Sequence, residues 1–434
     1  MLQWVRIPTI RWIMKLKRIS TALLVNFTEN VASPKLIVLL ASLAVLSLPT
    51  SLMAHAGDLD PTFGTGGIVT TVNTGENAAA LQSDGKIVVA GSIPTVQNPQ
   101  QPGLLRYNTN GTLDPSFGTG GKVVIAGNNA GPAFAVAVQT DGKILAAGPD
   151  SLRLTVFRFN TNGSLDNTFG NNGAATIQAA GLFFSPASGG IALQPDGRIL
   201  VASERIVARL LANGHLDSTF GSNGAAPTVG GSSVALLLNG DILIGNGNVT
   251  SLYAPNGSLV TTFGVNGQTA GFPFDGEGGF VVTSGSATVS SIITAGSLVT
   301  SPSLIFNQTV TGFLLVRYNA DGTVDNSFGT HGGVATPFPG NILARASVVA
   351  VQRNGDIVAA GQTALTEFSP SDFALVRYNP NGSVDKTFGN NGFVSTPFGN
   401  SQALANTVLI QTDGKIVAVG NSNTGTTLAR YLAN

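Results

Sequence analysis

Along residues 57 to 434 short apolar runs alternate with glycine-centred turns, and no stretch shows the 3.6-residue periodicity of a helix. A typical unit reads Ala135-Val-Ala-Val-Gln139, turns through Thr140-Asp141-Gly142, and continues Lys143-Ile-Leu-Ala-Ala-Gly148. Two buried strands joined by Asp-Gly make a hairpin, because Asp-Gly and Asn-Gly accept the positive φ that a type I′ turn needs at both central residues. The turn recurs at Asp84-Gly85, Asp196-Gly197, Asn239-Gly240, Asn354-Gly355 and Asp413-Gly414, with Asp275-Gly276 as a weaker copy. One more strand follows each hairpin, as in Phe373–Tyr378, and another precedes it, as in Gly392–Thr396, which predicts four strands per unit.

A Thr-Phe-Gly or Ser-Phe-Gly triplet punctuates these units, with its phenylalanine at Phe63, Phe117, Phe169, Phe220, Phe263, Phe328 and Phe388. Seven copies over 57 to 434 give about 54 residues per unit, and four short antiparallel strands at that period describe a propeller blade. The expected fold is therefore all-β, a single seven-bladed β-propeller of four-stranded antiparallel blades. In every internal unit an Arg-Tyr strand turns into Leu-Asp, but at the ends that hairpin is cut open. Gly57-Asp-Leu-Asp60 begins the repeats, and Arg430-Tyr431 closes them. Pairing the N- and C-terminal segments would close the ring and leave no exposed terminal repeat.

The motif from Arg377 to Gly392, followed by Gln411 to Gly420, resembles the bacterial delta-60 repeat family, and the likeness extends over nearly all of 57 to 434. It implies a propeller-like exported repeat protein and supplies no catalytic residues to carry over.

Residues 1 to 56 differ from the repeats. They hold both tryptophans, five basic residues by Arg18, and an apolar run from Leu36 to Leu48 that is too short to span hydrocarbon. With Ala54-His55-Ala56 as the cleavage motif this reads as a signal peptide with a long n-region, which either a mis-assigned start codon or an extended signal would explain; the mature chain is expected to begin at Gly57. That places the protein in the periplasm, at the cell surface or outside the cell, with no stable membrane insertion after cleavage. Without this segment the charges stand at 16 basic against 21 acidic, a net charge near −5. No basic stripe remains to neutralise phosphates, which argues against nucleic acid as a partner. There is no cysteine, so disulfides, thiolate metal sites and thiol nucleophiles are excluded.

All five tyrosines occupy one register position before the outer turn, and the expectation is that each packs between blades. One position earlier stand Arg106, Arg158, Arg209, Arg317, Arg377 and Arg430. Eight residues after the first five of these stand Asp114, Asp166, Asp217, Asp325 and Asp385, while Asp60 would serve Arg430. In the fourth hairpin Leu252 and Val260 replace both members together. This joint loss predicts six structural ion pairs, with carboxylate and guanidinium opposite each other on adjacent strands and bonded bidentately.

The asparagine-rich turns invite a calcium reading, but most offer one aspartate that already has an arginine, so no cofactor is expected. His215 and His331 fall in turns of different blades and make neither a zinc set nor a triad. The irregular stretch Val265 to Phe313, where the repeat spacing grows to 65 residues, predicts an extra loop or elongated hairpin. It supplies the candidate binding residues Phe272, Phe274, Asp275 and Glu277. Acids outside the repeat frame, Glu76, Asp150, Glu204, Glu367 and Asp372, are further candidates for one mouth of the ring.

The leading expectation is a non-catalytic exported scaffold or interaction module, a monomeric domain that binds a protein or glycan. The alternatives are a metal-assisted hydrolase or lactonase with a central-channel site, and a structural cell-surface component.

Overall fold

The computed structural model describes residues 54–434 except 97, 126–130, 151–152, 178–188, 229–230, 232, 246–248, 270–279, 285–288, 300–309, 342, 367–368 and 434. All but the last three residues of the expected leader therefore lie outside the described residues. The compact unit containing the repeats begins at His55. Among the described residues no helix is long and apolar enough to cross a membrane.

Strand β1 (Ile68–Val72) precedes six blades formed in chain order. The first blade is β2 (Gly75–Leu81), β3 (Ile87–Ser92), β4 (Pro102–Tyr107) and β5 (Lys122–Val124). The second is β6 (Ala135–Val138), β7 (Ile144–Asp150), β8 (Arg153–Phe159) and β9 (Ala174–Ile177). The third is β10 (Gly189–Leu193), β11 (Ile199–Ser203), β12 (Ile206–Leu210) and β13 (Ala225–Pro227). The fourth is β14 (Ser233–Leu236), β15 (Ile242–Gly245) and β16 (Thr250–Tyr253). The fifth is β17 (Phe280–Ser284), β18 (Val289–Val299), β19 (Val310–Asn319) and β20 (Gly333–Pro337). The sixth is β21 (Leu343–Val351), β22 (Ile357–Ala364), β23 (Ser371–Tyr378) and β24 (Phe393–Thr396). The seventh joins β25 (Leu404–Ile410), β26 (Ile416–Ser422) and β27 (Gly425–Tyr431) to β1 from the other chain end.

The fold is the seven-bladed propeller that the repeats predict, with two departures. The fourth blade has three strands, and its outer position is reduced to the single bridge Ser251↔Gln268 and the bond from Thr269 N to Thr250 O. In the fifth blade the pair β17–β18 closes between Ser284 and Val289, while Asp275-Gly276 precedes β17 in sequence and lies outside the described residues. The irregular stretch is an elongated hairpin there, with β18 and β19 paired at nine positions from Ser291 to Val299.

Apolar faces of neighbouring blades interdigitate, so each core belongs to a seam. Val88, Ala90, Leu104 and Phe117 of the first blade pack with Ile144, Ala146 and Phe159 of the second, all buried. The tyrosines extend the seams. Tyr107 Oη lies 2.6 Å from Thr71 Oγ1, Tyr431 Oη 2.7 Å from Thr396 Oγ1, and Tyr378 Oη 2.9 Å from Thr336 Oγ1. Each phenol thus reaches the outermost strand of the preceding blade, and its ring fills the seam.

One backbone bond repeats at all seven seams. The amide of the Phe-Gly glycine donates to the outer-turn carbonyl of the next blade: Gly64 to Asn110, Gly118 to Asn162, Gly170 to Asn213, Gly221 to Asn256, Gly264 to Asp321, Gly329 to Asn381 and Gly389 to Ala56. Such close approach requires glycine in the facing turn. Gly111 has φ +87°, and a Cβ there would sit 2.6 Å from Val69 Cγ2 and 3.0 Å from Gly64 N.

At the cut hairpin the two chain ends reproduce an intact one. Gly57 N donates to Leu432 O at 2.8 Å and Leu432 N to Asp58 O at 2.9 Å, as Gly111 and Asn108 do within the first blade. Leu59 bridges Tyr431, and β1 pairs β27 from Ile68↔Ala429 to Val72↔Gly425.

Candidate binding face

The inner Asp-Gly turns and the outer Asn-x-Asn-Gly turns lie on one face of the ring, because β2, β3 and β4 are antiparallel and Ile87 pairs with both Leu81 and Tyr107. Beneath this face run the six arginine–aspartate sites. Arg106 Nε donates to Asp114 Oδ2 at 2.8 Å, and the same bond joins Arg158–Asp166, Arg209–Asp217, Arg317–Asp325, Arg377–Asp385 and Arg430–Asp60 at 2.7 to 2.9 Å.

The bidentate geometry expected from the sequence is not formed. The guanidinium is spread over three acceptors: Nη1 donates to the next blade's turn carbonyl, as Arg158 does to Ala212 O at 2.7 Å, and Nη2 to a hydroxyl such as Thr168 Oγ1. The second carboxylate oxygen is engaged by its own turn, where Asp166 Oδ1 accepts Thr168 N and Oγ1. Each guanidinium also stacks on the repeat phenylalanine, 4.4 to 4.7 Å from the ring centroid, in all six sites.

A second cation, which sequence reasoning did not single out, meets the same carboxylate in four blades. Lys86 lies 3.3 Å from Asp114, Lys143 3.0 Å from Asp166, Arg198 3.4 Å from Asp217 and Lys415 3.2 Å from Asp60. Its signal was the cation that follows Asp-Gly in those repeats. Burial raises the carboxyl of Asp60, yet the Thr62 hydroxyl and amide, Lys415 and Arg430 outweigh it and hold it at about 2; Asp114 is likewise held at about 2. In the fourth blade Leu252 is buried and Val260 packs beside Phe263, so an apolar pair fills the same volume. Asp241 there follows Asn239-Gly240 where the lysine would stand.

Among the described residues Glu76 is unlike any other acid. It is 1% exposed on the innermost strand of the first blade and accepts Asn406 Nδ2 and Thr407 Oγ1 of the seventh blade, both at 3.1 Å. Its position faces Gly91 as Ala405 faces Gly420 and Ala346 faces Gly361, so a carboxyl stands where two other blades carry alanine. With no cation beside it, burial pushes this carboxyl up to about 7 against the two hydrogen bonds that lower it.

A cavity of about 880 Å³ opens on the turn face where the seventh, first and second blades meet. Its walls are the inner turns Leu81–Gly85, Val138–Thr140 and Gln411–Asp413, completed by Thr109, Asn110 and Lys415. A smaller one of about 400 Å³ follows the first seam past Lys86 and Arg106. The lining mixes amide, hydroxyl and carboxylate groups with the apolar Leu81 and Val138 and the cations Lys415 and Arg430.

Phe272, Phe274, Asp275 and Glu277 lie outside the described residues, as does Glu367. Glu76 and Asp372 do not meet: Asp372 accepts Ser395 Oγ on an exposed outer surface. Among the described residues no three His, Cys, Asp or Glu side chains come together to hold a metal ion.

Five stretches of the chain, residues 82–117, 139–169, 194–220, 298–328 and 352–388, match a propeller repeat family described as "Domain of unknown function (DUF5122) beta-propeller". Four of the five run from the inner-turn glutamine to the phenylalanine beneath the guanidinium. No curated protein matches the chain. Among solved structures it is similar to virginiamycin B lyase from Staphylococcus aureus, at 11% identity over 84% of this chain and 98% of that one, with a TM-score of 0.51. It is also similar to YCF48 bound to D1 peptide, at 9% identity over 89% and 100%, with a TM-score of 0.50.

Proposed function

We propose that this chain is an exported, non-catalytic interaction module that takes a polar ligand, a peptide or a glycan, in the cavity on its turn face. The observation that carries the reading is the cavity itself. Three blades converge on about 880 Å³ lined by amides, hydroxyls and carboxylates together with Leu81, Val138 and Lys415, and such a concave site on a rigid scaffold is where binding concentrates. The fold does not choose between chemistry and binding, since its neighbours include a lyase and a peptide-bound protein. The site favours binding, because its two acids, Asp84 and Asp413, each face a lysine of their own turn, Lys86 and Lys415. Export is read from the leader pattern in residues 1 to 56.

The test is a screen of the purified protein on peptide and glycan arrays beside a Ser83→Trp variant, whose indole would fill the cavity from an exposed turn position. A ligand whose signal falls at least about tenfold in the variant is the expected result, a loss of roughly 1.4 kcal/mol of binding. Absence of any ligand, or ligands indifferent to the plug, would refute the reading.

A further inference from the structure

The inner turns place a glutamine at the same position in five blades, and in each the side-chain carbonyl is buried with no hydrogen-bond donor: Gln82, Gln139, Gln194, Gln352 and Gln411. Three of the five, Gln82, Gln139 and Gln411, come from the three blades that meet at the cavity, and all three line it. Gln82 is 9% exposed and borders the smaller cavity as well. An amide oxygen removed from water without a donor is costly, so three together on one cavity define what would complete it.

The cations that border the cavity are already committed. Lys415 lies 3.2 Å from Asp60 and 3.3 Å from Asp413, and Arg430 holds Asp60 at 2.9 Å. The rim adds the carboxylates of Asp84 and Asp413, each about half exposed, with Asp413 facing Lys415 and Asp84 facing Lys86. Among the described residues no aromatic lines the cavity to offer a stacking platform for a sugar.

We infer that the cavity selects a ligand bearing N–H donors, an ammonium or guanidinium group such as the lysine or arginine side chain of an extended peptide, with Gln82, Gln139 and Gln411 as its acceptors. The inference rests on the binding reading of this same cavity and narrows its ligand class. The fourth blade provides the design of the test, because Leu237 stands there in place of the glutamine and shows that leucine fits the position.

The experiment measures binding of tetra-arginine, spermidine and maltotetraose to the full chain by calorimetry, in wild type, Ser83→Trp, the pair Gln139→Leu/Gln411→Leu, and Gln194→Leu as the control in a blade outside the cavity. Expected are binding of the arginine peptide or the polyamine, at least a tenfold loss in the double variant and in Ser83→Trp, and unchanged affinity in Gln194→Leu. Far-UV circular dichroism shows that each variant is folded. Preference for maltotetraose with the Ser83→Trp block intact would overturn the donor class and leave the binding reading standing. Equal loss in Gln194→Leu would overturn the role of the three acceptors. No binding by any of the three probes would overturn the inference, and the array screen would then decide the wider reading by itself.

Discussion

Asp60 and Arg430 stand 370 residues apart in sequence and are joined by one 2.9 Å bond, so the clasp between the chain ends can be weighed against the same volume in the fourth blade. Asp60→Val would strand a guanidinium whose side chain is 7% exposed. Nη1 would keep the carbonyl of Thr109 and Nη2 the hydroxyl of Thr62, but Nε would have no acceptor. Breaking a buried pair from one side costs about 3–5 kcal/mol, and the lower end applies here because Lys415, released from Asp60, can turn to water. Arg430→Leu would leave the carboxylate with Lys415 and the two bonds from Thr62, at a cost of about 2 kcal/mol. The double variant D60V/R430L copies the Val260 and Leu252 arrangement and removes both charges together. Its expected cost is about 2 kcal/mol, mainly the lost turn bonds of Asp60, which leaves a coupling of about 3 kcal/mol between the sites. Urea unfolding followed by far-UV circular dichroism and by tyrosine fluorescence reads all three, since both tryptophans lie outside the propeller. A double variant as costly as the sum of the single ones would refute the reasoning.

Glu76→Gln tests the buried acid through pH. Its folded carboxyl titrates near 7 against an ordinary 4.5, so the protonated form is the one the fold favours. That stability is full below about pH 4.5 and is lost as pH rises through 7, roughly 3 kcal/mol at about 1.4 kcal/mol per unit. The variant should match wild type at pH 4.5 and exceed it at pH 8 in urea midpoint; equal stabilities at both would contradict the assignment. Gly111→Ala and Gly120→Ala separate seam contact from conformation. Both glycines have positive φ, but only at Gly111 would a Cβ meet the neighbouring blade, whereas nothing lies within 4 Å at Gly120. Thermal unfolding should show a loss of about 3 kcal/mol for the first and about 1 kcal/mol for the second, and equal losses would remove the seam from the account.

The blade count and ring closure were legible because each rests on a local pattern repeated seven times, and repetition averages out the ambiguity of any single turn. The ion pairs were legible for a different reason: one blade lost both members, and the absence at Leu252 and Val260 pointed to the partnership. Their geometry was not, because the third contact of each guanidinium is a carbonyl in the next blade, which no single repeat displays. The Asp275-Gly276 hairpin failed for a related cause. Asp-Gly permits a type I′ turn, but which strands it joins is decided by pairing at a distance, and β17 pairs with β18 so that the two close between Ser284 and Val289. The cavity could not be read at all, since its walls come from three blades and the three glutamine carbonyls on it that lack a hydrogen-bond partner look ordinary in sequence.

A ring of equal seams has no reason to bind anything at one seam rather than another, so function must use a departure from the repeat. Two departures share one strand. Glu76 is the second residue of β2 and Gln82 follows its last, which puts the buried acid and the cavity about 20 Å apart at opposite ends of the first blade's innermost strand. Both reach across to the seventh blade, Glu76 through Asn406 and Thr407, the cavity through Gln411 and Asp413. This is also the blade that the chain closes non-covalently, with β1 against β27. A ligand seated in the cavity therefore touches both sides of a seam next to the closure, and by mass action it stabilises the closed ring over any state in which the seventh blade opens. Ligand binding and ring closure are then linked quantities, and a variant that weakens the Asp60–Arg430 clasp should weaken ligand affinity as well, although neither residue is among the proposed acceptors.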